Sequence, residues 1–151
     1  MYKKILVPVD GSTASNLALA EAIKLASSTG SKLRLVHVVD EFVPTPDLAT
    51  GAYYQQLLES LRVLGKKTLD HAEATVREHA LEPSSILIET TGHRVAGYIV
   101  EQARVWPADL IVMGTHGRRG VARLVMGSDA ELVLRTAPVP VLLVRGPDES
   151  T

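Results

Sequence analysis

The feature that most constrains this chain is a recurring short run that is apolar at every position, each followed by a stretch of helical character. Ile5-Leu6-Val7-Pro8-Val9 is the first such run, and Asp10-Gly11-Ser12 stops it. A strand with one wet face alternates apolar and polar residues. A run that is apolar throughout marks a strand buried on both faces, as in a parallel sheet covered by helices. Similar runs return at Leu33 to Val39, Ile86 to Ile88, Leu110 to Met113 and Val139 to Val144, the last with Pro140 near its start. Between them lie segments with helical spacing. Ala14 to Ser27 is closed by Gly30, and Tyr53 to Ala80 is ended by Glu82-Pro83-Ser84. Val95 to Val105 is closed by Pro107, and Ser128 to Arg135 precedes the last run. Glu41 to Gly51 carries Pro44 and Pro46 and reads as a loop. Strands alternating with helices require right-handed crossovers. The predicted fold is therefore α/β, a single doubly wound, open, mostly parallel five-stranded sheet with helices on both faces. No internal repeat or interdomain linker interrupts it, so residues 1–145 read as one domain and Gly146 to Thr151 as a frayed tail.

Composition narrows the function classes. A chain of 151 residues buries enough surface to need no staple, and the absence of cysteine excludes disulfides, thiolate metal sites and a cysteine nucleophile. Sixteen basic and 17 acidic residues give a net charge of -1, too balanced for a general nucleic-acid binder. No apolar run approaches the roughly 18–20 residues that span a bilayer. The apolar run at the start is too short for a signal-peptide core. The expectation is a cytoplasmic protein without nucleic-acid or membrane partners.

In a doubly wound sheet, ligands bind beyond the C-terminal ends of the strands, where strand order reverses. The loop after Met113 is the notable one there. It reads Gly114-Thr115-His116-Gly117-Arg118-Arg119-Gly120-Val121-Ala122-Arg123-Leu124-Val125-Met126-Gly127-Ser128. Glycines permit close approach of a ligand to the backbone, and Gly127-Ser128 opens a helix whose first amides lack intrahelical partners and favour an anion. Arg118, Arg119 and Arg123 add positive charge nearby. The plainer alternative is that Ser128 and Glu131 form a capping box, the glycines serve turns and the arginines are solvated. The pattern is neither a P-loop nor the dinucleotide fingerprint.

Asp10 ends the first strand and fits either ligand contact or a turn that caps the next helix. A phosphoacceptor role lacks the acidic pair and late lysine it would need. His37, inside a strand, reads as structural, whereas His116 lies between motif glycines and is the better ligand candidate. His71, His79 and His93 have no metal-ligand spacing and read as surface residues. Trp106 reads as packing, and Tyr53 and Tyr54 as covering either a pocket or a dimer surface. No Ser-His-Asp set can be placed, and neither Ser12 nor Ser128 sits in G-x-S-x-G.

Gly114-x2-Gly117-x9-Gly127-Ser128 resembles the nucleotide motif of universal stress proteins. Lys4 to Ser12, Leu35-Val36-His37-Val38-Val39, Ala108 to Gly117 and Pro138 to Val144 also resemble, in order, that family's first, second, fourth and last strands. The resemblance covers essentially the whole chain. It implies the strand order 3-2-1-4-5, a homodimer through the last strand, and binding of ATP. By similarity Asp10, with the backbone of Pro8 and Val9, would hold the adenine and ribose end, and Val38 would line the adenine pocket. Met113, Gly114, His116 and Gly117 would run along the ribose and phosphates, and Gly127, Ser128, Asp129 and Ala130 would cradle the phosphates. Asp129 departs from the family pattern. Its carboxylate favours the helix N-terminus but repels a triphosphate unless a divalent metal such as Mg²⁺ bridges the charges.

The sequence therefore offers a phosphate cradle without a clear base. The first reading is an ATP-binding stress or regulatory protein without dedicated catalysis. Two others remain open: a slow ATPase or self-phosphorylating protein acting through Asp10 or His116, and a dimeric adaptor whose pocket Asp129 closes to nucleotide.

Overall fold

The structure, a computed structural model, describes residues 1–40, 51–90, 92–116 and 126–146. The expected loop before Gly51, Gly117, the three loop arginines and the tail beyond Gly146 lie outside those residues. In chain order the elements are β1 (Lys4–Pro8), α1 (Thr13–Thr29), β2 (Lys32–Val39), α2 (Ala52–Arg77) and β3 (Ser84–Glu89). They continue with α3 (Val95–Val105), β4 (Leu110–Gly114), α4 (Ser128–Thr136) and β5 (Val141–Val144). The five strands form one sheet in the order β3-β2-β1-β4-β5, and every pairing is parallel. The predicted architecture is the observed one.

The uniform apolarity of the first run has the expected cause. Ile5, Leu6 and Val7 are each wholly buried because β1 is central and helices cover both faces. Ile5 and Val7 pack with Leu33 and Leu35 of β2 beneath α1 and α2, which contribute Ala18, Ala22, Ile23, Leu69 and Val76. Leu6, Val36 and Ile111 point to the other face and meet Ile99 and Val100 of α3 and Val133 of α4. Each large side chain so buried stabilises the fold by roughly 1.5–3 kcal/mol.

The helix ends follow local chemistry. Ser12 caps α1 by accepting from the Ser15 N–H, and Gly30 ends it in the left-handed region at φ 74°. Two boundaries differ from the sequence reading. α2 stops at Arg77 rather than Ala80, because the chain tightens into short-range bonds from His79 N–H to Val76 O and from Ala80 N–H to Arg77 O. Ala80 itself turns left-handed, at φ 59°. β5 begins at Val141 rather than Val139, since Pro138 and Pro140 have no N–H to give a ladder. Trp106 packs against the α3–α4 side of the core, with Lys4 Nζ 5.5 Å and Arg34 Cζ 4.9 Å from its ring centroid. His71, His79 and His93 are exposed.

Candidate functional site in the crevice at the strand ends

After β3 the chain crosses beneath β2 and β1 to start β4 on the far side of β1. The loops leaving β1 and β4 therefore diverge and open a crevice at the strand C-termini. A cavity of about 480 Å³ occupies that crevice, within the range of small-molecule sites, roughly 300–1,000 Å³. Pro8, Val9 and Asp10 line it from β1, and Val38 from β2. Met113, Gly114 and His116 line it from β4 and the turn beyond, and Gly127, Ser128, Asp129 and Ala130 from the start of α4. The topology thus gathers on one cavity every sequence-predicted site residue except Gly117, which lies outside the described residues. A groove of similar size, about 510 Å³, runs between α1 and α2 past Ala20, Ile23 and Ser27. It meets no helix N-terminus and no strand end.

The β1 end is built by a tight turn. The Ser12 N–H donates to Asp10 Oδ1 at 2.9 Å, and the Asp10 N–H donates to Ser15 Oγ at 3.1 Å. Asp10 thus shapes the turn while remaining on the cavity wall, so the turn and ligand roles are compatible. Val9 N–H donates to Val36 O at 2.8 Å, the last main-chain bond from β1 to β2. Main-chain groups along a strand face alternate neighbours with period two. The N–H and C=O of Val38 therefore face the space beyond the end of β1.

The α4 end is an open helix N-terminus. Gly127 is the N-cap, Ser128 is the first helical residue, and no side chain among the described residues caps the helix. The capping box suggested by Ser128 and Glu131 is not formed. Ser128 sits one position too late to cap, and Glu131 instead binds Arg135 at 3.0 Å. With no side-chain cap, the first amides of α4 remain available at the cavity, along with the helix dipole. Asp129 and Glu131 supply the acidic charge of that first turn.

Gly114 and Gly127 act through close approach rather than left-handed backbone. Gly127 has φ −57°. A Cβ on Gly127 would lie 3.0 Å from the Thr115 carbonyl oxygen, which already accepts from Gly127 N–H at 2.7 Å. A Cβ on Gly114 would lie 2.8 Å from the Ala14 backbone carbon. Gly114 therefore serves the packing of α1 against β4 as well as the cavity. His116 is half-buried, with Nδ1 3.0 Å from Thr115 Oγ1.

Sequence reasoning missed the third wall. Leu61, Leu64 and Gly65 of α2, with Val95 and Ile99 of α3, close the β2 side of the cavity. Arg62 pins α2 there, with Nε donating to Glu89 Oε1 at 2.5 Å and Nη2 to Oε2 at 3.2 Å. The hydrogen bond to Glu89, then its charge, raises the Arg62 pKa above its ordinary value. The available signal was Gly65, since a lone glycine within a helical pattern often marks a close packing contact. Tyr53, at the start of α2, is exposed. Among the described residues no group of three or more His, Asp or Glu side chains is placed to hold a metal ion. No helix among them is long and apolar enough to cross a membrane.

The profile of the universal stress protein family matches residues 1–145. This chain belongs to the universal stress protein family. A universal stress protein of Methanocaldococcus jannaschii is 35% identical over 147 residues, covering 97% of this chain and 84% of that relative. A solved structure of a family member from Burkholderia pseudomallei superposes with a TM-score of 0.76 at 36% identity, covering 95% of this chain and 96% of that one. A universal stress protein from Archaeoglobus fulgidus, solved in complex with dAMP, superposes with a TM-score of 0.69 at 26% identity, covering 95% of this chain and 98% of that one.

Proposed function

We propose that this universal stress protein binds an adenine nucleotide, ATP with Mg²⁺ included, in the crevice at the strand ends and acts through binding, without dedicated catalysis. The observation that carries this reading is the uncapped N-terminus of α4 opening on the cavity. Unpaired amides and the positive end of a helix dipole form an anion site, and a phosphate supplies the matching charge. At the other end the cavity is apolar, with Val36, Val38, Val39, Leu61 and Leu64 suited to the faces of a flat base. The N–H and C=O of Val38 offer a donor and an acceptor to the base edge. Asp10 is placed for ribose hydroxyls, and His116 for the sugar–phosphate stretch. The dAMP bound by the Archaeoglobus relative is a ligand of this class.

Asp10, Asp40 and Asp129 line the cavity. Their carboxylates repel a bare triphosphate, so the residues fit ATP best when a divalent cation accompanies it. That cation would enter on the phosphates. Hydrolysis needs a positioned base or water-orienting group. The described residues of the cavity offer Asp10 and His116, each already engaged in the local turns. The protein would act as a homodimer. β5 is an edge strand, and its Leu142 is 39% exposed. An apolar edge of this kind is covered by pairing with its own copy about a two-fold axis. Mass spectrometry of small molecules released from freshly purified protein tests the reading. A co-purifying adenine nucleotide supports it, and a different ligand in stoichiometric amount overturns it.

A further inference from the structure

Leu61, Leu64 and Gly65 bring α2 to the cavity wall, yet the part of the helix that leads up to this wall is lightly held. From Ala52 to Leu64 only Leu58 is buried. The helix starts at Gly51 with no side-chain cap and no acidic residue in its first turn. Firm anchorage begins at Gly65 and continues through Leu69, Ala72 and Val76. At Gly65 the helix backbone meets the sheet directly. A Cβ there would lie 2.7 Å from His37 Cδ2 and 3.0 Å from Leu87 Cδ1, so no side chain of its own stands between helix and sheet. Leu61 and Leu64 occupy the turn just before that contact. How closely they stand over the cavity depends on the tilt of the helix about Gly65. Arg62, in the same turn, sets that tilt. Its guanidinium grips both oxygens of Glu89, a two-point contact that adds orientation to charge. Glu89 ends β3 and pairs in register with Val39 of β2, itself a cavity residue. The ion pair therefore joins the α2 wall to the strand ends of the cavity. A second set, Arg77 with Glu73 and Glu82, lies more than three turns farther along α2, and none of the three lines the cavity.

We propose that Arg62 and Glu89 are positioning residues for this site: their ion pair holds the α2 wall against the nucleoside part of the ligand and so sets its affinity. The assignment rests on the adenine-nucleotide reading and deepens it. Neither side chain lines the cavity, so both act through Leu61 and Leu64. With the pair broken, the turn before Gly65 tilts outward, and the apolar surface that the two leucines lay against the ligand returns to water. The open end of α4, which serves the phosphates, keeps its place. The nucleoside alone therefore carries the whole effect. The pair is partly exposed, which limits its strength and places the expected effect in the range of a few-fold rather than a hundredfold.

The test measures adenosine and AMP by calorimetry for the wild type, Arg62→Glu, the charge swap Arg62→Glu with Glu89→Arg, and Arg77→Glu, with circular dichroism confirming that each is folded. Arg62→Glu sets a third carboxylate beside Glu59 and Glu89. It is expected to weaken adenosine and AMP by the same factor, about three- to tenfold. The swap restores the pair with reversed sign and is expected to return both affinities to within about twofold of the wild type. Arg77→Glu inverts a charge in the distant set and is expected to leave both unchanged. Undiminished binding in Arg62→Glu overturns the assignment, and so does a swap that recovers nothing. A loss for AMP alone would make Arg62 a charge acting on the phosphate, and an equal loss in Arg77→Glu would mean a general loosening of α2; either result overturns it too. Should Arg62→Glu not fold, Glu89→Gln decides. It neutralises the pair without inverting it, and adenosine binding equal to that of the wild type refutes the positioning role. A wild type that binds neither ligand overturns the nucleotide reading together with this one, whereas a wild type that binds both and is indifferent to Arg62→Glu overturns this one alone.

Discussion

Substituting Gly127 by valine separates the phosphate end of the site from the base end. Gly127 sits at φ −57° and ψ 148°, a conformation open to any residue, so the substitution adds no left-handed strain. It adds a Cβ 3.0 Å from the Thr115 carbonyl oxygen and 3.5 Å from His116 Cα. The β4–α4 junction must therefore give by a few tenths of an ångström. Two further methyl groups then stand beside the open amides of α4. Loss of one charge-assisted hydrogen bond costs about 1.5–3 kcal/mol, or roughly ten- to hundredfold in affinity. AMP and ATP are expected to weaken by that factor, while adenosine, which has no phosphate, binds Gly127→Val as it binds the wild type. Calorimetry with all three ligands on folded protein is the assay. Unchanged AMP affinity, or an equal loss for adenosine, would show that the α4 N-terminus does not hold the phosphates.

Asp129→Val removes the carboxylate nearest the open end of α4, one of three that line the cavity, and should strengthen metal-free ATP binding while shrinking the extra affinity that Mg²⁺ gives; titrations with and without Mg²⁺ that match the wild type refute the repulsion. Leu142→Lys places a charge on the apolar edge strand and should convert a dimer to a folded monomer in sedimentation at micromolar concentration, whereas a dimeric variant or a monomeric wild type removes β5 as the interface. Gly114→Ala drives a Cβ to within 2.8 Å of the Ala14 backbone, and because a helix backbone cannot swing aside, denaturant unfolding should show a loss of about 1–3 kcal/mol. An unchanged midpoint would mean that α1 shifts freely.

Strand order and helix sequence were legible because burial on both faces writes itself as continuous apolar runs, as at Ile5–Val7. The end of α2 and the start of β5 were less so. The turn through Ala80 depends on a left-handed residue that alanine does not announce, and Pro140 sits inside an otherwise strand-like run. Much of the candidate site was legible for a topological reason, since the loops leaving β1 and β4 flank the point where the strand order reverses. The α2 wall was not, because which turn of a long helix lies over a crevice is decided by tertiary packing. Gly65 against His37 is such a contact. The apparent Ser128–Glu131 capping box shows the converse, a local pattern overridden when the helix starts one residue later than the pattern assumes.

The central claim is that the crevice binds an adenine nucleotide through the open end of α4. Calorimetric titration of ligand-stripped protein with ATP, in the presence of Mg²⁺, tests it most directly. The account predicts saturable binding of one nucleotide per chain. A titration without saturable heat, repeated with AMP and ADP and without Mg²⁺ to the same result, would contradict it.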